Sequence, residues 1–212
     1  MLQFSIGLRL TLLAALAALS GCAVPPPPPL LDISSHACAP QPDLISALPV
    51  KLSDAIRPDM VDLRIDDTAP CLQTTQGPSL YGAFALPADA VPMMLGVRSV
   101  AVGEGLFVPH LLLLDGTGAV QREVDQSSLH YRGDVLTAFV RLHPGERYLV
   151  VGSTPQAVGL MESHIVERTF ASSTVTSTGA MVTYHSGTDQ VRNYVYAHGG
   201  RIFVWASPVP TD

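Results

Sequence analysis

Apolar residues in this chain occur in short runs that turn-forming residues separate. Between residues 80 and 151 the runs have the length of β-strands, and they cover 80–86, 93–102, 107–114, 119–124, 135–142 and 147–151. The gaps hold Gly, Pro and Asp, as in Asp115-Gly116-Thr117-Gly118, which is turn chemistry. Closely spaced strands joined by tight turns favour antiparallel pairing. The pattern therefore predicts a mainly all-β fold, an antiparallel β-sandwich or jelly roll.

Beyond residue 151 the pattern predicts one short helix and then further strands. Thr154 and Pro155 suit the N-cap and the first helical position, and apolar residues follow at helical spacing. We expect the helix to be short, because Gly159 lies within it. Strand-like runs at 166–170 and 180–184 then flank a stretch that is rich in Ser and Thr.

Two final runs, at 191–197 and 201–206, predict a β-hairpin with Gly199 and Gly200 in its turn. Pairing in this hairpin places four aromatic residues on one face, namely Tyr194, Tyr196, Phe203 and Trp205. Such a face suits either the stacking of sugar rings or the packing of a core. We favour the core, because the opposite face is also apolar and no polar side chains beside the aromatic residues mark a sugar site. Ligand binding by the four residues is the second interpretation.

The first thirty residues have the layout of a bacterial export signal. Residues 1–9 carry one cation, an apolar run follows at 10–19, and the tetrapeptide Leu19-Ser20-Gly21-Cys22 comes next. This tetrapeptide resembles the lipobox of bacterial lipoproteins, in which the signal is cut before the cysteine and the cysteine is acylated. Residues 1–21 are therefore the predicted signal peptide and Cys22 the predicted lipidation site. The alternative is an ordinary secretory signal in which Cys22 is incidental.

The residues after Cys22 indicate where the anchored protein lies. In lipoproteins, Ala23 in place of an aspartate after the acylated cysteine favours the outer membrane over the inner membrane. The proline run at 25–29 predicts a polyproline II spacer of about 15 Å. We expect residues 22–36 to be a linker and residues 37–212 to be a single domain that faces the periplasm. A membrane-spanning helix needs about 20 apolar residues, so the run at 10–19 is too short to be one.

The remaining cysteines suit an oxidising compartment. Cys38 and Cys71 form an even pair once Cys22 is acylated, and such a pair in an exported chain predicts a disulfide. Two buried free thiols and a metal site are the alternatives. Zinc requires about four ligands at compact spacing, and neither CxxC nor HxxxH occurs here. The disulfide is the favoured interpretation.

Composition argues against several classes of protein. Charged residues make up only 14% of the chain, and its 18 Pro and 17 Gly oppose an all-helical bundle. Acidic residues number 18 against 12 basic ones, and Lys51 is the single lysine. Binding of nucleic acid requires clustered cations. Nucleic acid is therefore not an expected partner.

No catalytic or cofactor-binding motif occurs in the sequence. The chain lacks GxSxG, HExxH, GxxxxGK[ST] and a GxGxxG after a strand. Its 7 histidines are dispersed, which does not favour a metal site, and those at turns, such as His143 and His198, are expected to be solvated. We therefore expect a non-enzymatic protein with no cofactor.

Three segments resemble the maltose operon periplasmic protein (MalM) family in their order and rough spacing. They are residues 80–87 (LYGAFALP), residues 107–115 (FVPHLLLLD) and residues 147–151 (RYLVV), which Thr154 and Pro155 follow. The resemblance covers roughly residues 80–159. It implies a periplasmic protein associated with maltodextrin uptake, and it implies no catalytic residues.

These observations lead to two functional hypotheses, and a hydrolase whose polar side chains come together only in the folded chain stays open as a further class. The first is an outer-membrane-anchored periplasmic lipoprotein with a non-enzymatic binding or accessory role, whose partner is an oligosaccharide or an envelope protein. Association with carbohydrate uptake is what the family resemblance implies. The alternative is a structural or assembly subunit of an envelope or secretion complex. Such a subunit would use exposed sheet edges and the long segment 155–190 for protein contacts.

Overall fold

The computed structural model describes residues 30–88, 92–124, 126–132 and 135–209. The predicted signal peptide, Cys22 and the proline run at 25–29 lie outside these residues. The described residues form fourteen strands: β1 Leu48–Pro49, β2 Val61–Ile65, β3 Cys71–Thr74, β4 Gly77–Ala85, β5 Met93–Val100, β6 Gly105–Phe107, β7 Pro109–Leu114, β8 Val120–Val124, β9 Leu129–Arg132, β10 Val135–Arg141, β11 Tyr148–Ser153, β12 Met161–Val175, β13 Met181–Ala197 and β14 Gly200–Pro208. None of the helical structure in these residues is long and apolar enough to span a bilayer.

Two main sheets form a sandwich, as the sequence predicts. One has the strand order β1-β4-β11-β7-β8, with β3 added beside β4, and the other has the order β2-β14-β5-β10-β9. Most neighbouring strands are antiparallel, and β1 is parallel to β4. The all-β prediction is therefore confirmed.

The core lies between these two sheets. Alternate residues of facing strands, such as Leu95 and Val97 of β5 and Leu111 and Leu113 of β7, are fully buried in one cluster. Alternation of this kind follows from the two-residue period of a strand, which turns every second side chain inward.

A second apolar cluster covers the opposite face of the six-stranded sheet. Tyr81 and Ala83 of β4 and Val150 of β11 pack there against Leu44 and Ala47. The Tyr81 hydroxyl accepts a hydrogen bond of 2.7 Å from the backbone N–H of Asp43. The segment that precedes β1 therefore acts as a cover, and this sheet has little apolar surface left on that side.

The predicted disulfide joins Cys38 to Cys71, across a sequence separation of 33 residues. Backbone bonds support the same junction, because the Ala39 N–H donates to the Cys71 carbonyl (2.9 Å) and the Gln73 N–H donates to the Ala39 carbonyl (2.8 Å). In the chain-entropy model, a loop of this length contributes about 3 to 4 kcal/mol of stability. The crosslink holds the N-terminal segment to the edge of β3.

The C-terminal hairpin predicted from residues 191–197 and 201–206 does not form, and that prediction was wrong. β13 pairs with β12 and β6, whereas β14 pairs with β2 and β5. Strands that are apolar on both faces can lie inside any sheet, so alternation did not identify their neighbours. A Cβ atom on Gly200 would lie 2.5 Å from the Cβ of Phe107. This glycine therefore permits a close crossing between sheets rather than a tight turn.

The helix predicted from Thr154 does not form either. The chain makes consecutive turns there, with hydrogen bonds from Ala157 N–H to the Thr154 carbonyl (3.1 Å) and from Leu160 N–H to the Ala157 carbonyl (3.0 Å). Gly159 has a φ of +87°, a conformation that ends helical structure. Within the described residues the helical structure is a 3-10 turn at Gln126–Ser128.

Gly96 of β5 provides a test of this packing. Its absent side chain makes room for the indole of Trp205, because a Cβ there would lie 2.1 Å from two ring atoms. We expect Gly96→Ala to lower the free energy of unfolding by about 1 to 3 kcal/mol, since the packed ring has to move. Urea unfolding that is followed by the fluorescence of Trp205 measures the change.

Gly116→Ala is the matched control, because a Cβ at Gly116 would make an ordinary contact of 3.7 Å. We expect its unfolding curve to resemble that of the parent. Equal stability of both variants would contradict the close contact between Gly96 and Trp205.

Candidate functional site

The longest strands of the protein, β12 and β13, form a two-stranded antiparallel arm with their connecting turn. They contain 15 and 17 residues, and a strand of 15 residues at about 3.3 Å per residue is about 50 Å long. Pairing extends from Met161 opposite Val195 to Val175 opposite Met181. At the root of the arm, β6 pairs in parallel with residues 195–197. Beyond that root, the two strands pair only with each other in the described part of the chain.

Local sequence explains why the arm forms. At its tip the Gly179 N–H donates to the Thr176 carbonyl (2.9 Å), and the Thr176 N–H donates to the Ala180 carbonyl (2.8 Å). Gly179 has a φ of +80°, which a glycine adopts without steric cost. The adjoining residues are mainly Thr, Val, Ser and Tyr, and Thr, Val and Tyr favour strands. The turn and the β-propensity together specify a hairpin.

Large apolar side chains of the arm are exposed to solvent. The exposed fraction is 66% for Ile165, 57% for Phe170 and 67% for Val175 on β12. Exposed apolar residues on β13 are Met181, Tyr184 and Val191. Apolar surface that a soluble domain leaves uncovered is typical of interaction sites.

The edges of the arm differ from the edges of the sandwich. The main sheets end in strands of two to five residues, β1 and β8 in one sheet and β2 and β9 in the other. The arm instead exposes unpaired backbone groups along most of both strands. Residues 169–188 contain no Asp, Glu, Lys or Arg, and charged residues are a means by which proteins protect edge strands from further pairing. The arm can therefore accept an added strand.

A cluster of polar aromatic residues joins the root of the arm to β9. Tyr131 of β9 donates to Glu162 Oε2 at 3.4 Å, so the Tyr196 hydroxyl donates in the 2.6 Å bond between Tyr131 and Tyr196. The rings of Tyr131 and His164 are in contact, with centroids 3.6 Å apart and planes tilted by 31°. Nε2 of His164 lies 3.4 Å from Glu162 Oε1. Side chains therefore continue the attachment of the arm where backbone pairing with β6 ends.

Burial determines the protonation of this cluster. It raises the pKa of Tyr131 well above the usual value for a phenol, and the negative charge of Glu162 raises the pKa further. Tyr131 therefore remains a protonated hydrogen-bond donor at physiological pH. Tyr194 is only 2% exposed, and its hydroxyl has no hydrogen-bond partner in the described residues.

The structure separates the four aromatic residues that the sequence placed on one face. Tyr194 and Tyr196 belong to β13 and lie at the root of the arm, whereas Phe203 and Trp205 belong to β14 in the five-stranded sheet. They form no common platform, because their strands are not neighbours. Ligand binding by these residues stays a prediction.

Trp205 lies in a closely packed environment and is only 6% exposed. Its indole makes an edge-to-face contact with Phe139 at 5.9 Å, and the Arg98 guanidinium lies 5.4 Å from its centroid. Arg201 lies in the same way 5.0 Å from the ring of Phe203. With its ring covered in this way, Trp205 offers little surface on which a sugar could stack.

One pair of polar residues resembles a nucleophile and its base, and sequence reasoning missed it. Ser153 Oγ lies 2.9 Å from His198 Nδ1, although the two residues are 45 positions apart in the chain. Ser153 has no exposed surface, and no carboxylate in the described residues contacts His198. A substrate therefore has no access to this hydroxyl in the structure. His198 was expected to be solvated, but it is half-buried.

Metal ligation and known relatives add no site to this description. No group of three or more His, Cys, Asp or Glu side chains within the described ranges is arranged to hold a metal ion. Comparisons with protein-family models, with curated proteins and with solved structures find no match to this chain. The candidate functional site is therefore the arm together with its root cluster.

His198 makes the stability of the root region dependent on pH. Burial lowers the pKa of its imidazole below the ordinary value of 6.5, so the unfolded chain takes up a proton more readily than the folded one. The stabilising contribution is present above the pKa of the unfolded chain, and it is lost as the pH falls towards the folded pKa. We expect His198→Gln to reduce the loss of unfolding free energy between about pH 7.5 and pH 5.5.

Urea unfolding at both pH values measures this difference. If His198→Gln destabilises the protein by the same amount at both values, the residue acts through packing alone and the prediction is wrong.

Proposed function

We propose that this protein is a lipid-anchored, non-enzymatic subunit of a bacterial envelope assembly, and that its arm binds a protein partner by strand addition. The observation that carries the proposal is the pair of long, uncharged strand edges at residues 169–188. A partner strand placed along such an edge satisfies backbone groups that are otherwise unpaired. Of the two hypotheses drawn from the sequence, this is the assembly subunit.

The remainder of the structure supports different roles for the sandwich and the arm. The sandwich has short edge strands and an apolar cluster covered by its own N-terminal segment, so it offers fewer places for strand addition. The arm is attached by β6 and by the root cluster of Tyr131, Glu162, His164 and Tyr196. In this proposal the sandwich is a rigid base and the arm is the binding element.

The predicted lipid anchor supports the location. Acylation of Cys22 would fix the chain to the outer membrane, because two or more acyl chains give stable attachment. The proline run at 25–29 would hold the sandwich away from the bilayer. An arm of about 50 Å would then reach partners in the periplasm that the sandwich itself does not touch.

A role in carbohydrate uptake has less support. The aromatic platform that would bind a glucan is divided between two sheets, and Trp205 is only 6% exposed. The segments that resemble the maltose operon periplasmic protein family lie at residues 80–159, which belong to the sandwich apart from β6 and include neither strand of the arm. A function shared with that family would therefore reside in the sandwich.

Site-specific photo-crosslinking in intact cells tests the arm as the binding element. We expect a photoreactive phenylalanine analogue at Tyr184 to give a discrete protein adduct, because this residue is exposed on β13. The same analogue at Ile45, which is fully exposed outside the arm, is the matched control and should give none. Denaturing electrophoresis with immunodetection separates the two outcomes.

A shortened arm completes the test. Residues 166–190 are replaced by Asn-Gly between Ile165 and Val191, which are directly opposite each other in the arm and suit a two-residue turn. We expect the sandwich to unfold as in the parent while the solubilised protein loses any larger complex. Adducts at Ile45 that match those at Tyr184, or a complex that survives the deletion, would contradict the proposal.

Lipidation is tested separately through Cys22. We expect the parent chain to incorporate radiolabelled palmitate and to sediment with the outer membrane, since the acyl chains anchor it. Cys22→Ala should leave the protein in the soluble periplasmic fraction without the label. An unlabelled parent chain that is released by osmotic shock would overturn the anchor.

A further inference from the structure

Three large exposed apolar residues of β12 are evenly spaced along the strand. Past the root, the large apolar residues whose exposure the structure describes are Ile165, Phe170 and Val175. Ile165 and Val175 lie at equal distances along the strand on either side of Phe170. A strand that binds an unrelated partner does not need this symmetry, whereas a strand that pairs with its own copy does.

Geometry restricts how two copies of β12 can pair. A two-fold axis perpendicular to the sheet makes the two strands antiparallel. The two residues of each directly opposite pair then point to the same side of the sheet. An axis through Phe170 brings the two Phe170 residues opposite each other. The same register places Ile165 of each copy opposite Val175 of the other. Cross-strand aromatic and aliphatic pairs of this kind each contribute about 0.2 to 1 kcal/mol.

Charged positions are compatible with the same register. It places Glu162 opposite Thr178 and His164 opposite Thr176 of the second copy. Positions 167 and 168, which carry Glu and Arg in the sequence, oppose Ser173 and Ser172. No ionised residue of one copy therefore faces an ionised residue of the other, and the pairing meets no like-charge repulsion across the strands.

β12 is better suited to self-pairing than β13. Within the described residues the outer edge of β12 pairs with no other strand, whereas β13 shares its outer edge with β6 at residues 195–197. On β13, Met181 and Val191 are equally distant from Ser186, but the residue at that centre is a serine, whereas the centre on β12 is the exposed Phe170. The edge of β12 meets both the apolar and the charge requirement of a two-fold pair.

We propose that the partner of the arm is a second copy of this chain, bound through antiparallel pairing of the two β12 strands around Phe170. The result is a four-stranded sheet with the two sandwiches at opposite ends. This inference rests on the proposed function, because it names the partner of the same arm. Anchoring to one membrane would raise the effective concentration of the copies.

Engineered cysteines in the full-length chain test the register in cells. Phe170→Cys is self-opposed, so mild oxidation should give a disulfide-linked dimer. Ile165→Cys alone should give several-fold less. Two differently tagged chains, one with Ile165→Cys and one with Val175→Cys, should crosslink to each other. Ile45→Cys, fully exposed outside the arm, is the control for random collisions, and non-reducing electrophoresis measures every dimer.

Each outcome decides between the proposals. Dimers at 170 and between 165 and 175 support self-pairing. A dimer at Ile45→Cys as abundant as that at Phe170→Cys overturns it. Adducts of Tyr184 with a different protein and no dimer at position 170 overturn self-pairing while the proposed function stands. Absence of every arm adduct and of every dimer overturns both proposals.

A charge placed on the edge provides an independent test. Ser172→Lys positions a cation opposite Arg168 of the second copy, twice in each dimer, and we expect it to reduce the Phe170→Cys crosslink several-fold. Ser186→Lys adds the same charge on β13, on the same face of the arm, and should leave the crosslink unchanged. Circular dichroism of both variants checks that the fold is retained. Equal crosslinking in both would overturn the β12 interface.

Discussion

The pairing of backbone groups at strand edges is the constraint on which this structure depends. In the sandwich, the longer central strands lie between two neighbours, and the edge strands, such as β1 and β9, are short. In the described part of the chain, β12 and β13 have no further neighbours beyond the root of the arm, so the N–H and C=O groups on their outer edges face water. A single chain thus combines a base whose edges are largely satisfied with an element whose edges are not. The functional proposals follow from this contrast, because unpaired edges are the surfaces to which other strands add.

Much of the sandwich could be predicted from the sequence, since burial of one face leaves a two-residue period in strands such as β5 and β10. The turn residues at 115–118 and 143–146 correctly predicted where the adjacent strands end and begin. It was harder to predict which strands would be neighbours in the sheets. The local sequence of Gly199 and Gly200 suited a tight turn, but the absent side chain of Gly200 instead allows the backbone to pass close to Phe107. The disulfide was predictable because Cys38 and Cys71 are the two cysteines that remain once Cys22 is assigned to the predicted lipidation site.

The candidate site was predictable only in part. The segment 155–190 was identified as a possible contact region because of its length, although its strands were expected to be shorter. The root cluster left no comparable signal, because Tyr131 and Tyr196 are 65 residues apart and meet only after two sheets have formed. Glu162 and His164 alternate along β12, and their proximity to the tyrosines of the cluster becomes evident only once the register of β12 and β13 is known.

The position of the disulfide has a mechanical consequence for a chain that is held by its N-terminus. Tension that enters ahead of Cys38 passes through the covalent bridge to Cys71 and from there into β3. The loop between the two cysteines, with β1 and β2, lies outside this path of force. A pull from the membrane side therefore loads the interior of the six-stranded sheet through β3 and β4. The edge strand β2 is therefore not the first strand to be pulled away from its sheet.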